Sequence, residues 1–347
     1  MIRAGVIGAS GYAGGEVVRI LVGHPEVEIT YLASDTYAGQ PLSNAFRSLL
    51  GAELPVCEQF DPSIAAERAD VLFLAQHNGW AMEIAPSLLQ AGKKLIDLSA
   101  DFRFSDSRIY EEWYKIPHKS PDLCKEAVYG IPELHEKQIA KASLVANPGC
   151  YPTGAILAMA PLVKHGVVDA SAIIVDAKSG VSGAGRSKFE LGNLYSEANE
   201  NIKPYNVGDH RHTPEIEQEL SALAGAKLVV SFTPHLTPMT RGILATSYAP
   251  LKSQVDTAEL LEISREFYKN APFVVILPEN EYPATKNTAG SNYCHIGYKV
   301  DGRTNRVVAM SAIDNLIKGA AGQAVQNMNV MLGLDERIGL DAPGLYP

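Results

Sequence analysis

The chain lacks any long uncharged apolar stretch, any internal repeat and any low-complexity linker, which excludes a transmembrane helix, a solenoid and a tethered array. Cysteine is scarce. Cys57, Cys124, Cys150 and Cys294 share no metal-type or paired spacing, which excludes a disulfide scaffold and fits thiols kept in a reducing cytoplasm. Basic residues fall short of acidic ones, 30 against 39, and the formal net charge of -9 argues against a general binder of nucleic acid or membrane surfaces. Met1-Ile2-Arg3-Ala4 leads straight into an apolar run, without the basic, apolar and cleavage-site succession of a secretory signal, so a cytoplasmic protein is expected. What is present is bulk: 347 residues, 46% of them hydrophobic, can bury a sizeable core in two domains.

The N-terminal apolar run Ile2 to Ile7 is followed by Gly8-Ala9-Ser10-Gly11-Tyr12-Ala13-Gly14-Gly15 and then by Glu16-Val17-Val18-Arg19-Ile20-Leu21, which has helical apolar spacing. Strand, glycine turn and helix in that order, with glycines as G-x-x-G-x-x-G, form a variant of the dinucleotide fingerprint. Backbone can approach a pyrophosphate there, and the helix N-terminus receives its charge. A tight strand-to-helix turn that holds no ligand is the alternative. A second strand, Glu28 to Ala33, leads into Ser34-Asp35-Thr36. Ser34 at the strand end could bond a ribose 2′-phosphate, whereas Asp35 could select the unphosphorylated cofactor, and spacing leaves both open.

Cys150 stands in Asn147-Pro148-Gly149-Cys150-Tyr151-Pro152-Thr153-Gly154, just before the apolar run Ala155 to Ala160, which reads as a buried helix with Pro152 at its first position. A thiol at a helix N-terminus meets unpaired N–H groups and the positive end of the helix dipole, and both favour the nucleophilic thiolate. A buried cysteine is more often a small hydrophobe. A turn of Asn, Pro and Gly has little use for one, so Cys150 is read as a nucleophile and the other three cysteines as packing residues.

Between these motifs, strands at Val71 to Ala75 and Lys94 to Ser99 flank a helix near Ala81 to Ala91, the rhythm of a parallel doubly wound sheet. Phe104 to Pro121 reads as a surface excursion, and Ser143 to Ala146 as a strand ending at the Cys150 turn. Ligands bind at the carboxyl ends of such strands, so a hydride donor and a thiolate could share one crevice. Farther on, strand candidates at Ala172 to Ala177, Lys227 to Phe232, Gly242 to Tyr248 and Cys294 to Val300 lack regular intervening helices, and a largely antiparallel second domain is inferred. The tail from Asp314 to Val325 has helical spacing and small residues, as if packed closely on another element.

With these residues in view, the chain resembles the N-acetyl-gamma-glutamyl-phosphate reductase family, within the superfamily of aspartate-semialdehyde and glyceraldehyde-phosphate dehydrogenases. The resemblance spans essentially the whole chain. It rests on Gly8 to Gly14, Leu98-Ser99-Ala100-Asp101-Phe102-Arg103, Tyr129-Gly130-Ile131-Pro132-Glu133-Leu134, the Asn147 to Thr153 turn, Ser179-Gly180-Val181-Ser182-Gly183-Ala184-Gly185, His210-Arg211-His212-Thr213-Pro214-Glu215 and Asn315-Leu316-Ile317-Lys318-Gly319-Ala320-Ala321-Gly322. It departs from the family's more usual Pro-His-Gly at Gln76-His77-Asn78-Gly79.

The resemblance implies an α/β Rossmann-type dinucleotide-binding domain, residues 1–149 and 316–347, and an α+β catalytic and oligomerisation domain with a mainly antiparallel sheet, residues 150–315. It implies NADPH-dependent reduction of an acyl phosphate to an aldehyde in arginine biosynthesis, through a Cys150 thioester, in a homodimer or homotetramer. Expected cofactor contacts are Gly8, Ser10, Gly11, Tyr12, Ala13, Gly14, Ser34, Ser179, Gly180 and Asn315, the last of which could instead cap the terminal helix. His210 is the expected general acid/base, with His212 its rival, because a neutral-range pKa suits transfer in both directions. Arg103 could clamp the departing phosphate with its planar fork, or else form a surface ion pair with Asp101 or Asp106. Asn147, His212 and Ser182 complete the expected substrate contacts. A metal at His210 and His212 is not expected, since no third ligand has a recognisable spacing and hydride transfer to a thioester requires no Lewis acid. Two other readings stay open: a relative acting on an aminoadipate acyl phosphate, and a dinucleotide-binding redox sensor that uses Cys150 as a switch.

Overall fold

The apolar strand at the N-terminus pairs on both sides, and the sheet that grows around it sets the position of the first glycine turn. The structure, a computed structural model, describes residues 1–186 and 190–346. Its contacts divide into two compact units.

One unit comprises Met1–Pro148 and Ala320–Asp341, together with Gly185 and Arg186. Its strands are β1 (Ile2–Ile7), β2 (Val27–Ala33), β3 (Val71–Leu74), β4 (Lys94–Asp97), β5 (Val128–Tyr129) and β6 (Leu144–Ala146). They lie in the order β2-β1-β3-β4-β6-β5, and every pairing is parallel. Strands covered on both faces need unbroken apolar sequence, and Val71-Leu72-Phe73-Leu74 is buried throughout. Successive connections leave β1 in opposite directions, toward β2 and later toward β3. The turn after β1 therefore sits at the switch point where open sheets hold their ligands.

One local expectation is revised here and another is met. The stretch after Phe104 is not merely a surface excursion, because Ser107–Tyr114 is a helix whose first turn is capped by the Asp106 carboxylate on the Arg108 N–H at 3.0 Å. Tyr110 and Tyr114 stand one helical turn apart and stack at 4.7 Å, and Phe104 is buried beside them, so the aromatics form a core rather than a face for water. The terminal helix, Gly322–Met331, is buried at every residue although it carries Gln323, Gln326, Asn327 and Asn329. Three of these amides satisfy backbone carbonyls, Gln323 and Asn327 both donating to the Gly130 carbonyl at 2.9 Å and Asn329 to that of Ile338 at 2.9 Å, while Gln326 donates to the Glu133 and Glu336 carboxylates.

The other unit contains Gly149–Ala184, the described residues from 190 to Gly319, and residues 342–346. Its strands are β7 (Ile173–Ser179), β8 (Lys203–Pro204), β9 (Val230–Leu236), β10 (Ile243–Pro250), β11 (Val274–Ile276), β12 (Cys294–Asp301) and β13 (Arg306–Ile313), in the order β11-β12-β13-β10-β7-β9-β8. The sheet is mixed, not simply antiparallel: β11 runs parallel to β12 and β7 parallel to β9, while the other four pairings are antiparallel. Parallel neighbours need long crossovers, and the helix Thr213–Ala224 lies in the one that brings β9 beside β7. That helix and Thr257–Phe267, opened by a capping box of Asp256 and Glu259, are the regular elements that the strand-only expectation omitted.

The helix Cys150–Lys164 is buried from Tyr151 to Val163. Three side chains bond its carbonyls from the side: Ser311 to Gly154 at 2.8 Å, Tyr268 to Leu157 at 2.8 Å and Tyr298 to Ala158 at 2.9 Å. Such a helix is held along its length, and its first residue is placed accordingly.

Candidate active site

The glycine turn divides its labour by position. Gly8 has φ +82°, and a side chain there would drive into the Ala75 carbonyl. At Gly14 a Cβ would collide with the Gly8 carbonyl, so that glycine lets the helix approach the turn. Gly11 differs: its φ is -75°, and a Cβ would meet only the Gly8 carbonyl oxygen at 3.4 Å, an ordinary contact. The fold itself does not require glycine at 11. A ligand backing onto this peptide would, and the helix Tyr12–Val22 begins here with no side-chain cap on its first N–H groups. The residues present thus fit a dinucleotide pyrophosphate, with Tyr12, Ala13 and Gly14 in the first turn to receive it. Beside it the Ser10 and Ser34 hydroxyls are 2.8 Å apart, and Ser34 is buried. Asp35 is exposed and accepts from Gln59 at 3.3 Å. The strand-end position belongs to Ser34.

In the second unit Cys150 is the first residue of its helix and Gly149 the N-cap, so Pro152, expected at the first position, is the third. Cys150 therefore lies inside the first turn, within the field of the helix N-terminus, and is partly exposed. Three groups hold this turn. The Gly149 N–H donates to Glu215 Oε1 at 2.6 Å, with Glu215 fully buried. The His212 ring lies so near Gly149 that a Cβ there would stand 2.6 Å from Nε2 and 2.8 and 2.9 Å from two ring carbons. On another side a Cβ at Gly319 would stand 2.9 Å from the Cys150 Cβ. Gly319 belongs to a π-turn, Ile317–Ala321, a local widening of the helix often found at functional sites.

His210 occupies a different environment. Its ring contacts Tyr151, Tyr205, His212 and Phe232 edge to face, and its Nδ1 accepts the backbone N–H of His212 at 3.1 Å. Burial pushes its pKa down to about 4, and Arg211 pushes the same way. His210 is a neutral imidazole at pH 7, with its proton on Nε2. It orients the residue whose ring reaches the Cys150 turn.

Several of the residues expected to contact ligands also make bonds that brace the fold. Arg103 does not lie at the surface: it is buried, and donates to the carbonyls of Asn147 at 2.8 Å and Leu98 at 3.2 Å. Asp106 pairs with Arg108, and Asp101 accepts from the N–H groups of Gly79 and Met82 and from Tyr110. Asn147, expected to touch substrate, has both ends of its amide engaged, donating to the Ala320 carbonyl at 3.0 Å and accepting from Asn327 at 3.1 Å. Asn315 accepts from the Gly242 N–H at 2.8 Å and donates to Ser182 Oγ at 2.9 Å, tying the Ser179 to Gly185 loop to the segment before β10. It does not cap the terminal helix; Asp314 caps the turn instead, accepting from Leu316 and Ile317. Gly180 allows that loop to lie 2.7 to 2.8 Å, measured from its missing Cβ, from the Thr240 and Met239 carbonyls, and the Ser179 hydroxyl donates to the Gly180 carbonyl. The departure at Gln76-His77-Asn78-Gly79 is accommodated by Asn78, which accepts from Ala100, and by Gly79 at φ +92°. Glu215 and Gly319 escaped the sequence reading as site residues, although both stand in motifs it singled out.

Among the described residues no group of three or more His, Cys, Asp and Glu side chains is arranged to hold a metal, and no helix is long and apolar enough to cross a membrane. A parallel nucleotide-binding sheet joined to a mixed sheet with a thiol at a helix start is the architecture of a semialdehyde dehydrogenase. The comparisons agree: residues 3–142 match the semialdehyde dehydrogenase NAD binding domain and residues 150–315 the semialdehyde dehydrogenase dimerisation domain. Among solved structures, aspartate semialdehyde dehydrogenase II from Vibrio cholerae superposes with a TM-score of 0.74 at 17% identity, covering 96% of this chain and 99% of that one. The enzyme from Candida albicans, solved with NADP, gives 0.72 at 19%, covering 97% and 99%. In sequence, N-acetyl-gamma-glutamyl-phosphate reductase from Moorella thermoacetica is 54% identical and that from Desulforamulus reducens 54%, each over all of both chains. The chain belongs to the N-acetyl-gamma-glutamyl-phosphate reductase family.

Proposed function

We propose that this chain reduces N-acetyl-gamma-glutamyl phosphate to N-acetylglutamate semialdehyde with release of phosphate, in arginine biosynthesis, with NADPH as the hydride donor. The observation that carries the reading is Cys150 in the first turn of a buried helix, beside the His212 ring and above a turn tied down by Glu215. The Cys150 thiolate attacks the acyl carbon, the carbon–oxygen bond to phosphate breaks, and a thioester remains on the sulfur. When bound, the nicotinamide supplies the hydride that reduces this thioester. His212 protonates the resulting thiohemiacetal oxyanion, then takes the proton back as the carbon–sulfur bond breaks, freeing the aldehyde and restoring the thiolate. His210 positions His212 and stays neutral. We assign the acid/base role to His212 rather than His210 on the ring contact with the Cys150 turn. Arg103 and Asn147 fix the strand ends that precede that turn.

The glycine turn and the Ser10–Ser34 pair support a dinucleotide with a phosphorylated ribose, since no acidic side chain holds the strand-end position. The dimerisation-domain match supports a homo-oligomer, and cysteines that form no disulfide suit a cytoplasmic enzyme. The test is reduction of NADP by the purified protein with N-acetylglutamate semialdehyde and phosphate, run beside NAD and beside the aminoadipate analogue. Phosphate-dependent reduction of NADP, strongest with the glutamate compound, is expected. Turnover without phosphate would refute acyl-phosphate chemistry, and preference for the longer analogue would reassign the substrate.

A further inference from the structure

Arg186 is absorbed by neither the catalytic turn nor the brace around it, yet it reaches the nucleotide cradle. Its Nη1 donates to the Ser10 carbonyl at 2.9 Å and its Nη2 to the Tyr37 hydroxyl at 3.1 Å. The guanidinium lies 5.0 Å from the Phe46 ring centroid and 5.5 Å from that of Tyr37. Phe46 in turn packs on Gly15 in the helix that follows the glycine turn. Both hydrogen-bond partners are neutral, and among the described residues no carboxylate stands within ion-pair distance of this cation. Asp35, the nearby acid in sequence, is engaged by Gln59 instead. A planar fork with five donors, two of them engaged, thus keeps its charge and three N–H groups available.

What it faces is the strand-end position after β2. Ser10 carries the carbonyl that holds Nη1 and the hydroxyl that meets Ser34 at 2.8 Å, while the Tyr37 N–H donates to Ser34 Oγ at 3.3 Å. Ser34, Ser10, Tyr37 and Arg186 therefore form one connected set at the place where a dinucleotide's adenosine ribose rests. A neutral 2′-hydroxyl would leave the guanidinium uncompensated. A phosphate monoester dianion offers it charge and acceptor oxygens together, and Ser34 supplies a further hydroxyl.

We propose that Arg186 reads the 2′-phosphate of the adenosine ribose and is the residue that makes this protein prefer NADPH to NADH. The inference rests on the reading of the first unit as a nicotinamide dinucleotide site. It differs from Ser34 alone in that the cation is delivered from a segment far along the chain, past the catalytic cysteine.

Binding is measured by calorimetry on the whole protein with NADPH, NADH, 2′,5′-ADP and 5′-AMP, for wild type, Arg186→Gln and Arg186→Leu, each checked for an unchanged circular dichroism spectrum. The adenosine probes isolate the 2′-phosphate from the nicotinamide and from turnover. Wild type is expected to bind 2′,5′-ADP more tightly than 5′-AMP by about 10- to 100-fold, the span of one charge-assisted fork in a partly exposed site, and both variants to bring that ratio close to one. The NADPH to NADH ratio collapses in parallel, and the wild-type ratio falls as salt is raised. A variant that weakens all four ligands equally would make Arg186 an adenine-stacking group and overturn the proposal, as would variants that keep the wild-type ratio. If wild type binds no dinucleotide at all, the reading of the first unit fails with it, whereas binding without 2′-phosphate preference removes only Arg186.

Discussion

Replacing Gly149 with Ala adds one methyl group at the point where the Cys150 turn and His212 meet. The backbone tolerates it, since Gly149 has φ -68° and ψ 152°, which any residue adopts. The obstacle is the ring: the new carbon would stand 2.6 Å from His212 Nε2, and ordinary contact begins near 3.4 Å, so the imidazole must withdraw by about 0.8 Å. A displacement of that size in a proton-transfer geometry lowers kcat on the order of 100-fold, or about 2.7 kcal/mol of barrier. Stability should change little, because the N-cap exchange of Gly for Ala costs at most about 1 kcal/mol, a shift of ~2–4 °C in Tm for a unit of this size. The assay is the initial rate of NADP reduction for wild type, Gly149→Ala, His212→Ala and the double variant. If the methyl acts through His212, its effect disappears once His212 is gone, so the two losses are strongly non-additive. A Gly149→Ala enzyme with wild-type kcat, or one that loses the same factor in both backgrounds, would refute the reasoning.

Other outcomes follow from the same geometry. Cys150→Ser should abolish turnover while NADPH still binds by calorimetry, because the alkoxide is far less accessible than a thiolate at neutral pH; turnover within about tenfold of wild type would defeat covalent catalysis. His212→Asn should lower kcat by about 10²–10⁴ and more than His210→Asn does, and the reverse order would return the acid/base role to His210. His210 has its folded pKa depressed to about 4, so its contribution to stability is present above its unfolded value near 6.5 and is lost as pH falls toward 4. Chemical denaturation at pH 7 and pH 4.5 should show a loss on the order of 3 kcal/mol or less that His210→Phe reduces; an identical pH slope in the two proteins would contradict it. Arg103→Leu strands the buried Asn147 carbonyl and the partly buried Leu98 carbonyl and should lower stability by about 2–4 kcal/mol, seen as a drop in Tm; a selective rise in KM for phosphate at unchanged Tm would make Arg103 the phosphate clamp after all.

The local chemistry was legible where one short segment determines it. Strand, glycine turn and helix at Ile2 to Val22 follow from apolar period and from the φ that only Gly8 accepts, and the Cys150 turn follows from Asn, Pro and Gly before an apolar run. What escaped was carried by distant partners. Glu215 meets Gly149 across 66 residues and Arg186 meets Ser10 across 176, separations that no local pattern marks. The mixed character of the second sheet was hidden for the same reason, since direction depends on which strands become neighbours and not on the strands themselves. Arg103 and Asn147 carry the residue types of ligand contacts, and their bonds to Leu98, Ala320 and Asn327, which also brace the fold, are not legible in the sequence.

The covalent step can be seen directly by mass spectrometry of the intact protein and its peptides after mixing with N-acetyl-gamma-glutamyl phosphate in the absence of dinucleotide, with Cys150→Ser as the control for non-specific acylation. One N-acetylglutamyl group should appear on the Cys150 peptide of wild type alone and disappear when NADPH is added, as the aldehyde is released. An active wild-type enzyme that never carries the acyl group on Cys150, or that carries it equally in the serine variant, would contradict the thioester at the centre of this account.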